Sequence, residues 1–124
     1  MVSAENKELV RRGYEAFAAG DAETVMSLFA DDIEWIEPGR STVSGTHRGK
    51  GDVGMYLLQM AEKGVTVKLE TLVAEGDIVV ALTEVRVGDE VANGADVFTI
   101  RDGHAARVLA HPDTALIERV FGPK

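Results

Sequence analysis

Val10, Tyr14 and Phe17 recur at i, i+4 and i+7, with Leu9, Gly13 and Ala16 beside them. This spacing predicts a helix from about residue 4 to about residue 19 with one buried face. Ser3 can cap its start, and Gly20 ends it. Asp21 can cap a second helix that turns Val25, Leu28 and Phe29 inward and stops at Asp31-Asp32. Residues 33–37 read as a short strand closed by Pro38-Gly39. Residues 39–49, rich in Gly, Ser and Thr, predict a surface loop. Val53, Leu57 and Met60 mark a third helix over about residues 50–63, which Gly64 closes.

Beyond Gly64 the period changes to two. Alternating runs at 65–73, 78–87, 91–101 and 105–110 predict four strands joined by short turns, with Asp102-Gly103 a strong hairpin signal. Pro112 ends the last strand, and Asp113 can cap a final helix, Thr114–Phe121. Helices followed by a run of strands imply an α+β fold with helices on one face of an antiparallel sheet. A sheet curved around helices leaves a cavity between the layers, the natural place for a small molecule. No repeat or linker divides residues 1–124, so a single domain is expected.

Composition narrows the function. Lys plus Arg is 13 and Asp plus Glu is 21, a net charge of −8, which disfavours nucleic acid and anionic membrane surfaces as partners. With no cysteine, disulfides, thiolate nucleophiles and Cys-ligated zinc are excluded. The longest apolar run, Ile78 to Leu82, is far short of the ~20 residues of a membrane span. The first residues contain no apolar signal segment, and a cytoplasmic protein is expected.

Two carboxyls stand out. Strand alternation puts Glu37 on one face with Ile33 and Trp35, and Asp96 on one face with Phe98 and Ile100. A carboxyl among apolar groups has a raised pKa, which suits it to donate a proton or hydrogen bond near neutrality beside another that accepts. The plain alternative is that Glu37 is a solvated strand end and Asp96 a strand edge. Of the three histidines, His47 and His104 fall in the loop and at the turn and are expected in solvent, whereas His111 can reach a cavity mouth. Glu84 and Arg86 share a strand face as an exposed ion pair. No zinc-helix, phosphate-loop or nucleophile-elbow motif is present, and no metal or organic cofactor is expected.

The segments Phe17-Ala18-Ala19-Gly20-Asp21, Leu28-Phe29-Ala30-Asp31-Asp32-Ile33-Glu34-Trp35 and Pro38-Gly39 resemble the opening of SnoaL-like proteins. His47-Arg48-Gly49-Lys50, Asp96-Val97-Phe98, Arg101-Asp102-Gly103, Asp113-Thr114-Ala115-Leu116 and Arg119-Val120-Phe121-Gly122 extend the resemblance along nearly the whole chain. These proteins form the ketosteroid-isomerase-related branch of the nuclear-transport-factor-two-like superfamily. The resemblance implies a cone-shaped, curved antiparallel sheet wrapped around three N-terminal helices, the cystatin-like α+β barrel, with an apolar pocket inside. It also implies a homodimer through the outer face of the sheet.

Carried over residue by residue, the resemblance puts the general base of ketosteroid isomerases at Glu37, before Pro38, and their protonated oxyanion-hole acid at Asp96, before Phe98. The helix-one Tyr that donates to the oxyanion falls on Gly13, with Tyr14 about 100° further round the helix. The implied function is cofactor-independent, isomerase- or cyclase-type proton transfer on a small apolar carbonyl compound. Ionised Glu37 would take the proton and protonated Asp96 would bind the enolate oxygen, with Tyr14, Trp35, Tyr56, Phe98 and His111 around the ligand. Three alternatives remain at this level. One is a hydrophobic-ligand binding protein without catalysis. Another is an epoxide-hydrolase-type Asp–Arg–Asp site drawing on Arg86 or Arg107. The last is an interaction unit whose pocket is filled by its own side chains.

Overall fold

The computed structural model describes residues 2–124. Among these the order is α1 (Val2–Ala18), α2 (Ala22–Ser27), β1 (Phe29–Glu37), β2 (Gly45–Arg48), α3 (Gly49–Glu62), β3 (Thr66–Glu75), β4 (Ile78–Val87), β5 (Glu90–Arg101), β6 (His104–His111) and α4 (Thr114–Phe121). The strands form one six-stranded sheet in the order β2-β1-β6-β5-β4-β3. It is curved but does not close, since β2 and β3 remain edges. Helices α1 and α3 pack into its concave side, α1 against β3 and β4 and α3 against β1.

The sheet is not purely antiparallel. β1 runs parallel to β6, with Trp35 opposite Val108 and Ile36 opposite Leu109, while every other pairing is antiparallel. A parallel neighbour needs a long crossover. Here the chain from α3 through the β3–β5 meander provides it.

The first strand begins earlier than the sequence suggested. Asp31-Asp32 does not end a helix: α2 stops at Ser27, and Phe29 is already paired with Ala105. The register shifts between Phe29 and Glu34, and Asp31 and Asp32 stand exposed in that irregular stretch, facing Lys50 and Arg101. Phe29 and Ala30, by contrast, are buried.

Residues 39–49 are likewise not a plain surface loop. They include the edge strand β2, and Ser41, Val43 and Ser44 are buried. Burial is tolerated because the hydroxyls satisfy local backbone: Ser41 N–H donates to Ser44 Oγ at 3.0 Å, Val43 N–H to Ser41 Oγ at 3.2 Å, and Ser44 Oγ to Pro38 O at 3.2 Å. Gly39 is required there. Its φ is +107°, and a Cβ would come within 3.3 Å of Thr114 at the start of α4. The Asp102-Gly103 turn forms as read, with both residues at positive φ (52° and 76°). Asp113 caps α4 through Leu116 N–H at 3.0 Å.

Candidate functional site

The concave side of the sheet and the inward faces of α1, α2 and α3 line a partly open cavity of about 110 Å³. Its wall is mostly apolar, and Glu37 and Asp96 are its two carboxyls. The period-two reading of both strands therefore holds: Ile33, Trp35 and Glu37 are buried together on β1, and Phe98 and Ile100 are buried beside Asp96 on β5.

Each carboxyl is held by a tyrosine from a different helix. Tyr56 of α3, 2% exposed, donates its hydroxyl to Glu37 Oε1 at 2.5 Å. Tyr14 of α1 donates to Asp96 Oδ2. Position 14 thus reaches the cavity although the resemblance pointed to position 13. Gly13 lines the cavity too, and a Cβ there would make only an ordinary contact with Leu28. Aromatic rings fix these groups: Tyr14 meets Phe98 edge-on at 5.9 Å, Trp35 meets Phe98 edge-on at 6.5 Å, and Trp35 and Tyr56 lie 5.4 Å apart.

Burial pushes Glu37 up to about 7; the Tyr56 hydrogen bond partly offsets this, and the nearby charge of Asp96 adds to it. Burial likewise pushes Asp96 up to about 6, opposed by the Tyr14 hydrogen bond and by His111. Both carboxyls are thus raised toward neutrality, where either can hold or accept a proton. Both phenols are raised well above their usual range, first by burial and then by the adjacent carboxyls, so both remain donors. Among the described residues, two enclosed side-chain polar atoms have no hydrogen-bond partner: Glu37 Oε2 and Trp35 Nε1. The indole nitrogen lies near enough to Glu37 and Tyr56 to favour their charged forms, yet forms a hydrogen bond with neither.

The remaining expected residues divide. Tyr14, Trp35, Tyr56 and Phe98 line the cavity with the two carboxyls. His111 is exposed at the end of β6 and lies outside the lining, although its charge reaches Asp96. His104 is exposed, as expected. His47 is not in solvent: on β2 it is half-buried, its Nε2 is 2.8 Å from Val43 O, and its ring lies 4.7 Å from Tyr56. Its alternation with Arg48 along an edge strand was hidden by the Gly- and Ser-rich context. Arg86 pairs outward with Glu84, Arg107 is exposed, and among the described residues no arginine lines the cavity, so an Asp–Arg–Asp site is not assembled. Among the described residues no cluster of three or more His, Asp or Glu side chains could hold a metal ion.

A SnoaL-like domain matches residues 10–108. The chain belongs to the SnoaL-like family. An uncharacterised protein of Mycobacterium tuberculosis, Rv0034, is 30% identical over 113 residues, covering 89% of this chain and 76% of the relative. Bal32a, from a soil-derived mobile gene cassette, superposes with a TM-score of 0.88 at 26% identity over 98% of each chain. TerC, crystallised with polyporic acid, shares the fold with a TM-score of 0.81 at 24% identity, over 94% of this chain and 98% of its own. SnoaL-like and nuclear-transport-factor-two-like proteins include ketosteroid isomerases and polyketide cyclases. None of the described helices is long and apolar enough to cross a membrane.

Proposed function

We propose that this protein catalyses proton transfer at a carbon beside the carbonyl of a small apolar compound held in the cavity, without metal or organic cofactor. The observation that carries this reading is the pair of tyrosine-held carboxyls, Glu37 and Asp96, raised to about 7 and about 6 in one apolar enclosure. Interacting carboxyls titrate as a pair. Near neutral pH such a pair offers one group able to accept a proton and one able to donate a hydrogen bond to the developing enolate. Water exclusion by Trp35, Tyr56 and Phe98 strengthens both interactions. The test is deuterium exchange at the carbon next to the carbonyl of small cyclic ketones and enones. The wild type exchanges faster than buffer, and the double variant Glu37→Gln/Asp96→Asn loses about 10²–10⁴-fold. Ligands that stabilise the wild type but return without deuterium would support the second reading, a binding protein. That reading draws on the Tyr14 hydroxyl being taken by Asp96 rather than left free for a substrate oxygen.

A second copy of the chain is the proposed partner. On the convex face, Val73, Val80, Val97 and Leu109 lie side by side across four strands, flanked by exposed Ile78 and Leu82. An apolar row of this kind marks a contact surface, and the family resemblance puts the dimer there. Leu82→Glu is expected to convert a sedimenting dimer to monomer. A wild type that sediments as a monomer contradicts this partner.

A further inference from the structure

We propose that Glu37 and Trp35 together bind the carbonyl oxygen of the substrate, and that Asp96 removes the proton from the neighbouring carbon. This rests on the proton-transfer reading and reverses the roles that the resemblance implies.

Tyr56 donates into Glu37 Oε1. In a neutral carboxyl the oxygen that accepts is the carbonyl oxygen, so the acid hydrogen sits on Oε2. Oε2 is the enclosed atom without a partner. Beside it, Trp35 Nε1 is also enclosed and without a partner, and an indole nitrogen can only donate. A buried polar group left unpaired is destabilising. A single oxygen with two lone pairs relieves both. Ile33, Trp35 and Glu37 share the inward face of β1, so strand alternation holds the two donors in register.

Asp96 presents the opposite chemistry. Tyr14 donates into Oδ2, and among the described residues no side chain hydrogen-bonds Oδ1. The His111 charge favours the ionised form. As residues, Asp96 stays partly exposed and Glu37 is 2% exposed. In the step itself, the C–H bond next to the carbonyl breaks and its proton goes to Asp96 Oδ1. The C–H electron pair forms the new C=C bond, and the carbonyl π pair moves onto oxygen, where Glu37 Oε2–H and Trp35 Nε1–H hold it. Asp96 then returns the proton to the same or a conjugated carbon, and every protein group ends as it began.

The test uses pentafluorophenol, ionised at mildly acidic pH, as an enolate mimic, with binding followed by fluorine NMR. Trp35→Phe is expected to weaken binding about tenfold or more, while Asp96→Asn binds at least as tightly as the wild type. Weakening by Asp96→Asn with Trp35→Phe indistinguishable from wild type overturns the assignment. A wild type that does not bind the phenolate at all removes the oxygen site, whether or not ketone exchange is seen. Should Trp35→Phe fail to fold, the exchange rates decide: Glu37→Gln keeps a donor and loses about tenfold, Asp96→Asn loses the base and about 10³-fold or more. The reverse ranking overturns the roles, and exchange absent from the wild type overturns the underlying reaction instead.

Discussion

Glu37 is a carboxyl pulled two ways. Burial raises it and the Tyr56 hydroxyl lowers it, with a net value of about 7. Tyr56→Phe removes the lowering influence and leaves the burial, so Glu37 is expected to titrate above about 7 in that variant. Carbon-13 NMR of labelled glutamate reads this directly, and an unchanged or lowered midpoint contradicts the hydrogen-bond account. The inward direction of Glu37 and Asp96 was legible in the sequence, because a strand's faces alternate with period two and each carboxyl shares its face with large apolar neighbours. The identity of their partners was not. Tyr14 and Asp96 are distant in sequence, as are Glu37 and Tyr56, and no local pattern encodes a hydrogen bond that only the closed fold creates. The same holds for the unpartnered Trp35 Nε1, which reads from the sequence as an ordinary core aromatic.

Among the elements, α1, α3, α4 and the four later strands follow their periodicity and end at the turns their Gly, Asp and Pro residues predict. The failures lie where tertiary pairing overrides local signals. Phe29 has the spacing of a helix residue but joins the sheet because Ala105 offers it a partner. Ser41 and Ser44 look like solvent residues but are buried by bonding to each other and to nearby backbone. The terminal helix depends on a cap: Asp113 accepts from Leu116 N–H, and Ile117 on the same helix lines the cavity. Asp113→Ala is expected to cost about 1 kcal/mol. Thermal unfolding checks this, and a variant as stable as wild type contradicts the role of the cap.

For the whole molecule, the decisive feature is the curvature that brings β1 and β5 around one space, with β6 between them and helices closing the open side. The parallel pairing of β1 with β6 was not legible, since alternation gives the faces of strands but not their order or direction. That arrangement sets two carboxyls facing the same apolar cavity, and the entire functional account depends on their sharing it. The direct measurement is a carbon-13 NMR titration of both side chains, assigned with Glu37→Gln and Asp96→Asn. Midpoints near 7 for Glu37 and near 6 for Asp96 are predicted, with Asp96→Asn lowering the Glu37 midpoint while burial keeps it above 4.5. Two independent titrations at the ordinary values of 4.5 and 3.8 would mean that both groups meet bulk water, and would contradict it.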